Sequence, residues 1–96
     1  IQRILVGEQY MTVYKAIKPE AEQAAALAVD LVQGATPSAE TTGVDNGAGQ
    51  VASILLQPVA VTKDNVKSTV VADGFWTAAQ ICTPPYKSAC TAAGIE

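Results

Sequence analysis

The feature that most constrains the fold is a short apolar strand that ends in a lysine and leads directly into a helix. Tyr10–Tyr14 is an apolar and β-branched run, which predicts a strand buried on both faces. Lys15 closes this run, and Pro19 lies where the first turn of a helix tolerates proline. Open α/β sheets use charged side chains at the carboxyl ends of strands as ligand contacts. The pattern therefore predicts an α/β fold in which Lys15 faces a ligand.

The remaining elements are predicted from hydrophobic spacing and from turn residues. Small apolar residues at helical spacing predict a helix over Pro19–Gln33, which Gly34 ends. Weaker patterns predict the end of a helix at Ile1–Val6, short strands at Thr41–Val44, Val51–Leu56 and Val59–Val61, a helix at Asp64–Ala72 with Thr62 as its N-cap, and a last helix at Tyr86–Ala93. Between the last two helices, the segment from Phe75 onward is predicted to be irregular.

Composition excludes several classes of function. With 96 residues, the chain has room for one small domain at most. The net charge is −3 and the six basic residues are scattered, which argues against a nucleic-acid surface. The chain has no histidine, so Ser-His and Cys-His nucleophiles and the commonest metal ligand are excluded. We therefore expect a chain that is not an enzyme and that carries neither a metal nor a cofactor.

The ends of the chain suggest a piece of a longer protein. The sequence begins at Ile1-Gln2-Arg3 without a methionine, as an excised piece or a partial reading frame would. No apolar run approaches the roughly 18 residues of a membrane span, and none resembles a signal peptide. We therefore expect no transmembrane segment within this chain and most of the protein to lie outside it.

Four stretches of the chain resemble the C-terminal part of bacterial ABC-importer sugar-binding proteins, in the xylose-binding branch: Tyr10–Lys15, Thr41–Gly47, Leu55–Val59 and Asp64–Phe75. The resemblance implies a partial type I periplasmic-binding-protein fold of the α/β class. It also implies helices packed on short parallel strands, with pieces of two lobes and two hinge crossings. The implied function is capture of a monosaccharide, D-xylose or a similar sugar, for an ABC transporter permease.

The same resemblance divides the chain between the two lobes. Residues 1–15 would end the second lobe, residues 16–55 would form the C-terminal part of the first, and residues 56–96 would cross back and finish the second. The hinge would pass through Ala16 on the way out and Leu56, Gln57 and Pro58 on the way back. The predicted breaks at Lys15 and before Pro58 support these crossings independently, because hinges are short stretches at the ends of elements.

Lys15 is the one residue that the resemblance places in the sugar site. Thr12-Val13-Tyr14-Lys15 matches the family motif whose lysine contacts the bound pentose. An ammonium group offers three hydrogens to sugar oxygens. One alternative is an ordinary solvated lysine at a strand end. Another is an aldolase-like Schiff-base lysine, although the spacing offers it no acid or base partner. A small structural or interaction module that reuses this segment is the alternative for the chain as a whole.

Cys82 and Cys90 are predicted to form a disulfide. The cysteine count is even, the tail is loop-rich, and Thr83-Pro84-Pro85 restricts the short loop between the two cysteines. A structural disulfide persists in an oxidising compartment, so we expect a periplasmic or extracellular protein, made as a precursor with a signal peptide. Anchoring at the cell surface through an N-terminal region outside this chain is a further alternative.

Two other groups of residues are considered and not assigned to the site. Tyr10, Tyr14 and Trp76 have rings that stack on sugars in other proteins, but such residues more often anchor a core or its rim. Asp45-Asn46-Gly47 resembles the start of a calcium loop, but the later acidic ligands are absent, which favours a β-turn. Since strands are expected to lack neighbours here, we also expect the isolated chain to be poorly stable or to self-associate.

Overall fold

The computed structural model describes residues 1–95 and divides the chain into two compact units. Unit 1 combines Ile1–Lys15 with the chain from Pro58 onward, and unit 2 is Ala16–Gln57. In chain order the elements are α1 (Gln2–Leu5), β1 (Thr12–Tyr14), α2 (Ile17–Val32), β2 (Thr42–Asp45), β3 (Gln50–Ser53), β4 (Val59–Val61), a π-helical turn (Lys67–Val71), α3 (Ala78–Ile81), a 3-10 turn (Pro84–Tyr86) and α4 (Lys87–Ala92).

The sheet of unit 1 consists of β1 and β4. The two strands pair antiparallel, with Thr12 opposite Val61 and Tyr14 opposite Val59. The chain therefore leaves β1 for unit 2 and returns into β4 at the same end of the sheet. This pairing makes unit 1 one body although it is built from two separate stretches of sequence.

Unit 1 also contains the core. Every buried apolar side chain of the described residues lies in it: Ile4, Leu5, Tyr14, Val61, Val66, Val70, Ile81, Cys90 and Ile95. These residues come from α1, β1, β4, the π-helical turn and the tail, and burying an aliphatic or aromatic side chain of this size stabilises by about 1.5–3 kcal/mol. The stability of the chain therefore resides in unit 1.

Two side-chain hydrogen bonds join α1 to the tail. Gln2 Nε2 donates to the carbonyl oxygen of Ile81 (2.9 Å) and to Thr83 Oγ1 (3.1 Å). The tail itself is closed by the disulfide between Cys82 and Cys90, whose Cα atoms are 5.8 Å apart. The predicted disulfide is thus present, and it holds the segment on which α1 rests.

Unit 2 is a helix and a hairpin. The helix α2 begins after Ala16 and ends at Gln33, followed by Gly34 at φ +68°, which confirms the predicted helix within two residues. β2 and β3 pair antiparallel across a four-residue turn, in which Asn46 Oδ1 accepts hydrogen bonds from the N–H groups of Ala48 and Gly49. None of the α2 side chains is buried, so burial within this unit contributes little to its stability.

Two expectations about the strands are wrong. Both sheets are antiparallel rather than parallel, because the β2–β3 turn is too short for a crossover and because unit 2 returns to the end of β1 that it left. The first strand is also shorter than Tyr10–Tyr14 and is not buried on both faces. Tyr10 is 86% exposed and Val13 54% exposed, since β1 has one neighbouring strand and only one covered face here.

Expectations for the second half of unit 1 need three corrections. Thr62 does not cap a helix with its side chain; its backbone N–H donates instead to Asn65 Oδ1 (2.8 Å). A π-helical turn replaces most of the predicted α-helix, because Thr69 Oγ1 donates to the Asn65 carbonyl (2.6 Å) and competes for the acceptor of an α-helical bond. The segment after Phe75 is not irregular either, since it contains α3.

The cap of α3 explains why this helix forms. Gln80 N–H donates to Thr77 Oγ1 (3.3 Å), and Thr77 N–H donates to Gln80 Oε1 (3.0 Å). This reciprocal pair is a capping box, and its Thr-x-x-Gln pattern is legible in the sequence. The last helix, α4, lies within the predicted range Tyr86–Ala93.

Candidate functional site

Lys15 lies directly after β1, at the boundary between the two units. Its side chain is exposed, and it makes neither an ion pair nor a side-chain hydrogen bond with any residue among 1–95. An ammonium group in this state keeps its three hydrogens for water or for a ligand. The Lys15 ammonium group is therefore exposed to solvent and has no side-chain partner among the described residues.

The residue before it, Tyr14, is held firmly. Its ring is 8% exposed and meets the ring of Phe75 edge to face, with centroids 5.2 Å apart. Phe75 in turn meets Trp76 edge to face at 6.0 Å. Burial raises the pKa of the Tyr14 phenol, and hydrogen bonding to Asp73 and the negative charge of that carboxylate raise it further. The folded environment of Tyr14 therefore favours the protonated phenol.

The residues predicted to form the hinge lie at the two junctions of the units. Ala16 is the N-cap of α2, with an extended backbone (φ −70°, ψ 115°). Leu56, Gln57 and Pro58 lie between β3 and β4, outside any helix or strand, and all three are exposed. The boundaries of the compact units fall between Lys15 and Ala16 and between Gln57 and Pro58. These stretches have the position and the irregular backbone that a crossing between two bodies requires.

The aromatic residues of the sequence occupy different environments. Tyr14 is a core anchor, Tyr10 is largely exposed, and Trp76 is half-exposed beside Phe75. The arrangement of Asp73 and Phe75 around Tyr14 is not predicted by the sequence. Its only local signal is Gly74, because a turn with φ +69° lets the residues on either side of it approach the same neighbour.

A groove in unit 2 has a different character. It has a volume of about 460 Å³ and lies between α2 and the hairpin. Its walls are mostly apolar and are formed by Glu20, Gln23, Ala24, Leu27, Leu31, Pro37, Thr41, Ala52, Ile54 and Leu56. A sugar needs hydrogen bonds from most of its hydroxyls, and this groove offers few polar groups. We therefore do not place the ligand site there.

The described residues contain no cluster of three or more His, Cys, Asp or Glu side chains arranged to hold a metal ion. Asp45 and Asn46 are used in the hairpin turn: Asp45 Oδ1 accepts from the N–H of Gly47 (2.8 Å), and Asn46 caps the turn. The predicted β-turn at this place is confirmed. Within residues 1–95, no helix is both long enough and apolar enough to cross a membrane.

Comparison with curated proteins identifies a clear relative. The chain is 51% identical over 75 residues to the D-xylose-binding periplasmic protein of Escherichia coli (strain K12), a match that covers 78% of this chain. It spans only 22% of that relative's length. No family model matches the chain. That relative is named for the binding of D-xylose in the periplasm.

Solved structures agree with this result. A carbohydrate transporter solute-binding protein from Chloroflexus aurantiacus, in complex with D-glucose, superposes with a TM-score of 0.72 at 34% identity, covering 82% of this chain and 23% of its own. An ABC transporter solute-binding protein from Clostridium phytofermentans with bound β-D-glucose gives a TM-score of 0.68 at 30% identity, covering 84% of this chain and 25% of its own.

Both comparisons match more than three quarters of this chain and about a quarter or less of each related protein. The predicted resemblance and the partial α/β fold class are thereby confirmed. The chain is homologous to one segment of the periplasmic sugar-binding proteins that serve as solute-binding proteins of ABC transporters.

Proposed function

We propose that this chain is part of a longer periplasmic solute-binding protein that captures a monosaccharide for import by an ABC transporter. The observation that carries the proposal is the 51% identity to a D-xylose-binding protein over a segment that includes most of the chain. The disulfide between Cys82 and Cys90 agrees with it, because such bridges persist in oxidising compartments such as the periplasm. The proposed role is binding without catalysis.

Within that function, Lys15 is proposed to contact the sugar. Its exposed ammonium group, at the carboxyl end of β1, has no partner among residues 1–95 and is available to donate to sugar oxygens. Tyr14 fixes the strand that presents it. A charge-assisted hydrogen bond of this kind contributes about 1.5–3 kcal/mol. An aldolase-like Schiff-base role receives no support, since Lys15 makes no ion pair or side-chain hydrogen bond with an acid or base among residues 1–95.

The two compact units are proposed to belong to the two lobes of the sugar-binding protein. Unit 1 would be part of the second lobe and unit 2 part of the first, with crossings at Ala16 and at Leu56–Pro58. Support comes from the boundaries of the units, which coincide with irregular backbone at both places. Closure of two lobes on a ligand requires hinges of this type, because a few residues at the ends of elements absorb the rotation.

The sugar is proposed to be D-xylose or a related monosaccharide. The curated relative is named for D-xylose, whereas both solved structures hold glucose. The fold and the identities therefore support a monosaccharide more strongly than they support one particular sugar.

Titration of the longer polypeptide with D-xylose and D-glucose by calorimetry tests the proposal. We expect saturable binding of at least one sugar by the longer protein. The isolated 96-residue chain should bind neither sugar, because a closed cleft buries most of a ligand between two complete lobes. Absence of binding by the longer protein would refute the function, and millimolar or tighter binding by the isolated chain would refute the view that it is only a part of the site.

A further inference from the structure

Tyr14 is enclosed by the turn that follows the π-helical turn. We call Asp73 and Phe75 the Tyr14 socket. Phe75 meets the Tyr14 ring edge to face at 5.2 Å, and the Asp73 carboxylate is near enough to raise the pKa of the Tyr14 phenol. The socket is itself fixed: Asp73 N–H donates to the Thr69 carbonyl (3.0 Å), and Trp76 N–H donates to the Val70 carbonyl (3.0 Å). A rigid turn therefore holds one side chain of β1.

The position of Tyr14 in β1 determines how its burial affects the next residue, Lys15. Successive side chains of a strand point to opposite faces, so a buried Tyr14 directs Lys15 to the other side. Exposure follows this alternation, since Val13 is exposed, Tyr14 is buried and Lys15 is exposed. The sheet adds little restraint, because β1 has three residues and β4 is its one partner strand among residues 1–95. The anchoring of Tyr14 is thus the main restraint on the end of β1.

We propose that Tyr14 is a positioning residue, which acts through its socket to orient Lys15 toward the bound sugar. This inference rests on the proposed function of Lys15. Tyr14 does not itself touch the ligand in this account. Its ring restrains the end of β1 by packing edge to face against Phe75, and the nearby Asp73 carboxylate favours the protonated phenol.

The two contacts are separable by conservative changes. Tyr14→Phe keeps the ring against Phe75 and removes the phenol from Asp73, whereas Asp73→Asn keeps both side-chain volumes and removes the negative charge. Neither change creates a cavity, so the fold is expected to survive both. Tyr10→Phe is a matched control, because it removes a phenol from a ring that is 86% exposed.

A double-mutant cycle in the longer protein tests the inference. Tyr14→Phe should weaken sugar affinity roughly three- to tenfold when Lys15 is present and leave it unchanged in the Lys15→Met background. Asp73→Asn should behave likewise, and Tyr10→Phe should have no effect in either background. Equal weakening with and without Lys15 would show a general structural effect and overturn the inference, as would unchanged affinity in Tyr14→Phe.

A measurement on the 96-residue chain separates this inference from the proposed function. We expect ¹⁵N relaxation to show a lower order parameter at the Lys15 amide in Tyr14→Phe than in the unaltered chain or in Tyr10→Phe. An unchanged value at Lys15 would overturn the orienting role of the socket even if the longer protein binds sugar. A lowered value, together with no sugar binding by the longer protein, would support the socket and refute the proposed function alone.

Discussion

At the scale of single residues, the candidate site depends on two neighbours with opposite environments, the buried Tyr14 and the exposed Lys15. Adjacent positions of one short strand hold a buried, partnered phenol and an exposed ammonium group. The sequence motif predicts the importance of Lys15, since a cation at a strand end is visible without a structure. It does not predict the environment of Tyr14, because Asp73 and Phe75 lie about 60 residues away in sequence and only tertiary folding brings them near.

Replacement of Lys15 by methionine in the longer protein should weaken sugar binding about ten- to a hundredfold. The charged hydrogen bond that is lost contributes roughly 1.5–3 kcal/mol, while methionine keeps most of the side-chain length. Lys18→Met is the matched control, because Lys18 lies on α2 and its ammonium group is 3.9 Å from the Glu22 carboxylate. Calorimetry measures both affinities. A change of less than twofold in Lys15→Met would return Lys15 to an ordinary solvated lysine.

Because of Tyr14, the free energy of unfolding of the chain should decrease at alkaline pH. Its pKa is raised in the folded state above the ordinary value of 10.0, so the folded state keeps this proton after the unfolded state has lost it. The stabilising contribution is complete below pH 10 and is lost as the pH rises through the folded pKa. Urea unfolding between pH 8 and 11 should show this loss, which Tyr14→Phe should diminish and Tyr10→Phe should not. Identical pH profiles for all three proteins would contradict the attribution of this pH dependence to Tyr14.

At the scale of elements, local sequence patterns predict where helices and turns lie better than they predict how strands pair. The helix over Ile17–Val32 and the hairpin turn follow from small-residue spacing, Gly34 and Asn46-Gly47, which act within a few residues. The direction of strand pairing depends on where the chain returns, so the parallel arrangement is wrong for both pairs. The helix α3 is a different case: Thr77 and Gln80 carry a local capping signal, but a helix of four residues is too short to show a hydrophobic period.

Thr77→Ala should destabilise the chain by about 1 kcal/mol, since it removes the acceptor for the Gln80 N–H and half of the capping box. Thr62→Ala makes the same substitution where the hydroxyl caps no helix, and it should cost less. Urea unfolding of the two variants, compared with the unaltered chain, measures the difference. Equal costs would show that the Thr77 cap contributes no more than an ordinary threonine.

At the scale of the whole molecule, the stabilising contacts are distributed unevenly. Among residues 1–95, the buried apolar side chains and the disulfide all lie in unit 1, whereas unit 2 has an unburied helix and an open two-stranded hairpin. The sequence suggested a chain that lacks neighbouring strands, and the exposed apolar residues Val29, Leu31 and Val32 of α2 agree with that view. Neither composition nor periodicity indicated which of the two units would carry the core.

Reduction of the disulfide should lower the free energy of unfolding by about 2.5 kcal/mol, because opening the short loop frees the unfolded chain. The effect should reach α1, since Gln2 is bonded to Ile81 and Thr83 beside Cys82. Hydrogen exchange at α1 and at the hairpin of unit 2, with and without a dithiol reductant, checks this. We expect faster exchange at α1 and little change at the hairpin; uniform acceleration, or none at α1, would contradict it.

The antiparallel pairing of β1 with β4 has a further consequence for how the chain folds. Tyr14 and Val59 are neighbours in the sheet but 59 − 14 = 45 positions apart in sequence, so the whole of unit 2 is the loop that their pairing closes. Closing such a loop costs entropy before any contact of the β1–β4 sheet forms, and that cost slows the search for the native topology. Unit 2 starts and ends next to residues that face each other in the sheet. We therefore expect the length of unit 2 to influence the folding rate of unit 1 without changing the core of unit 1.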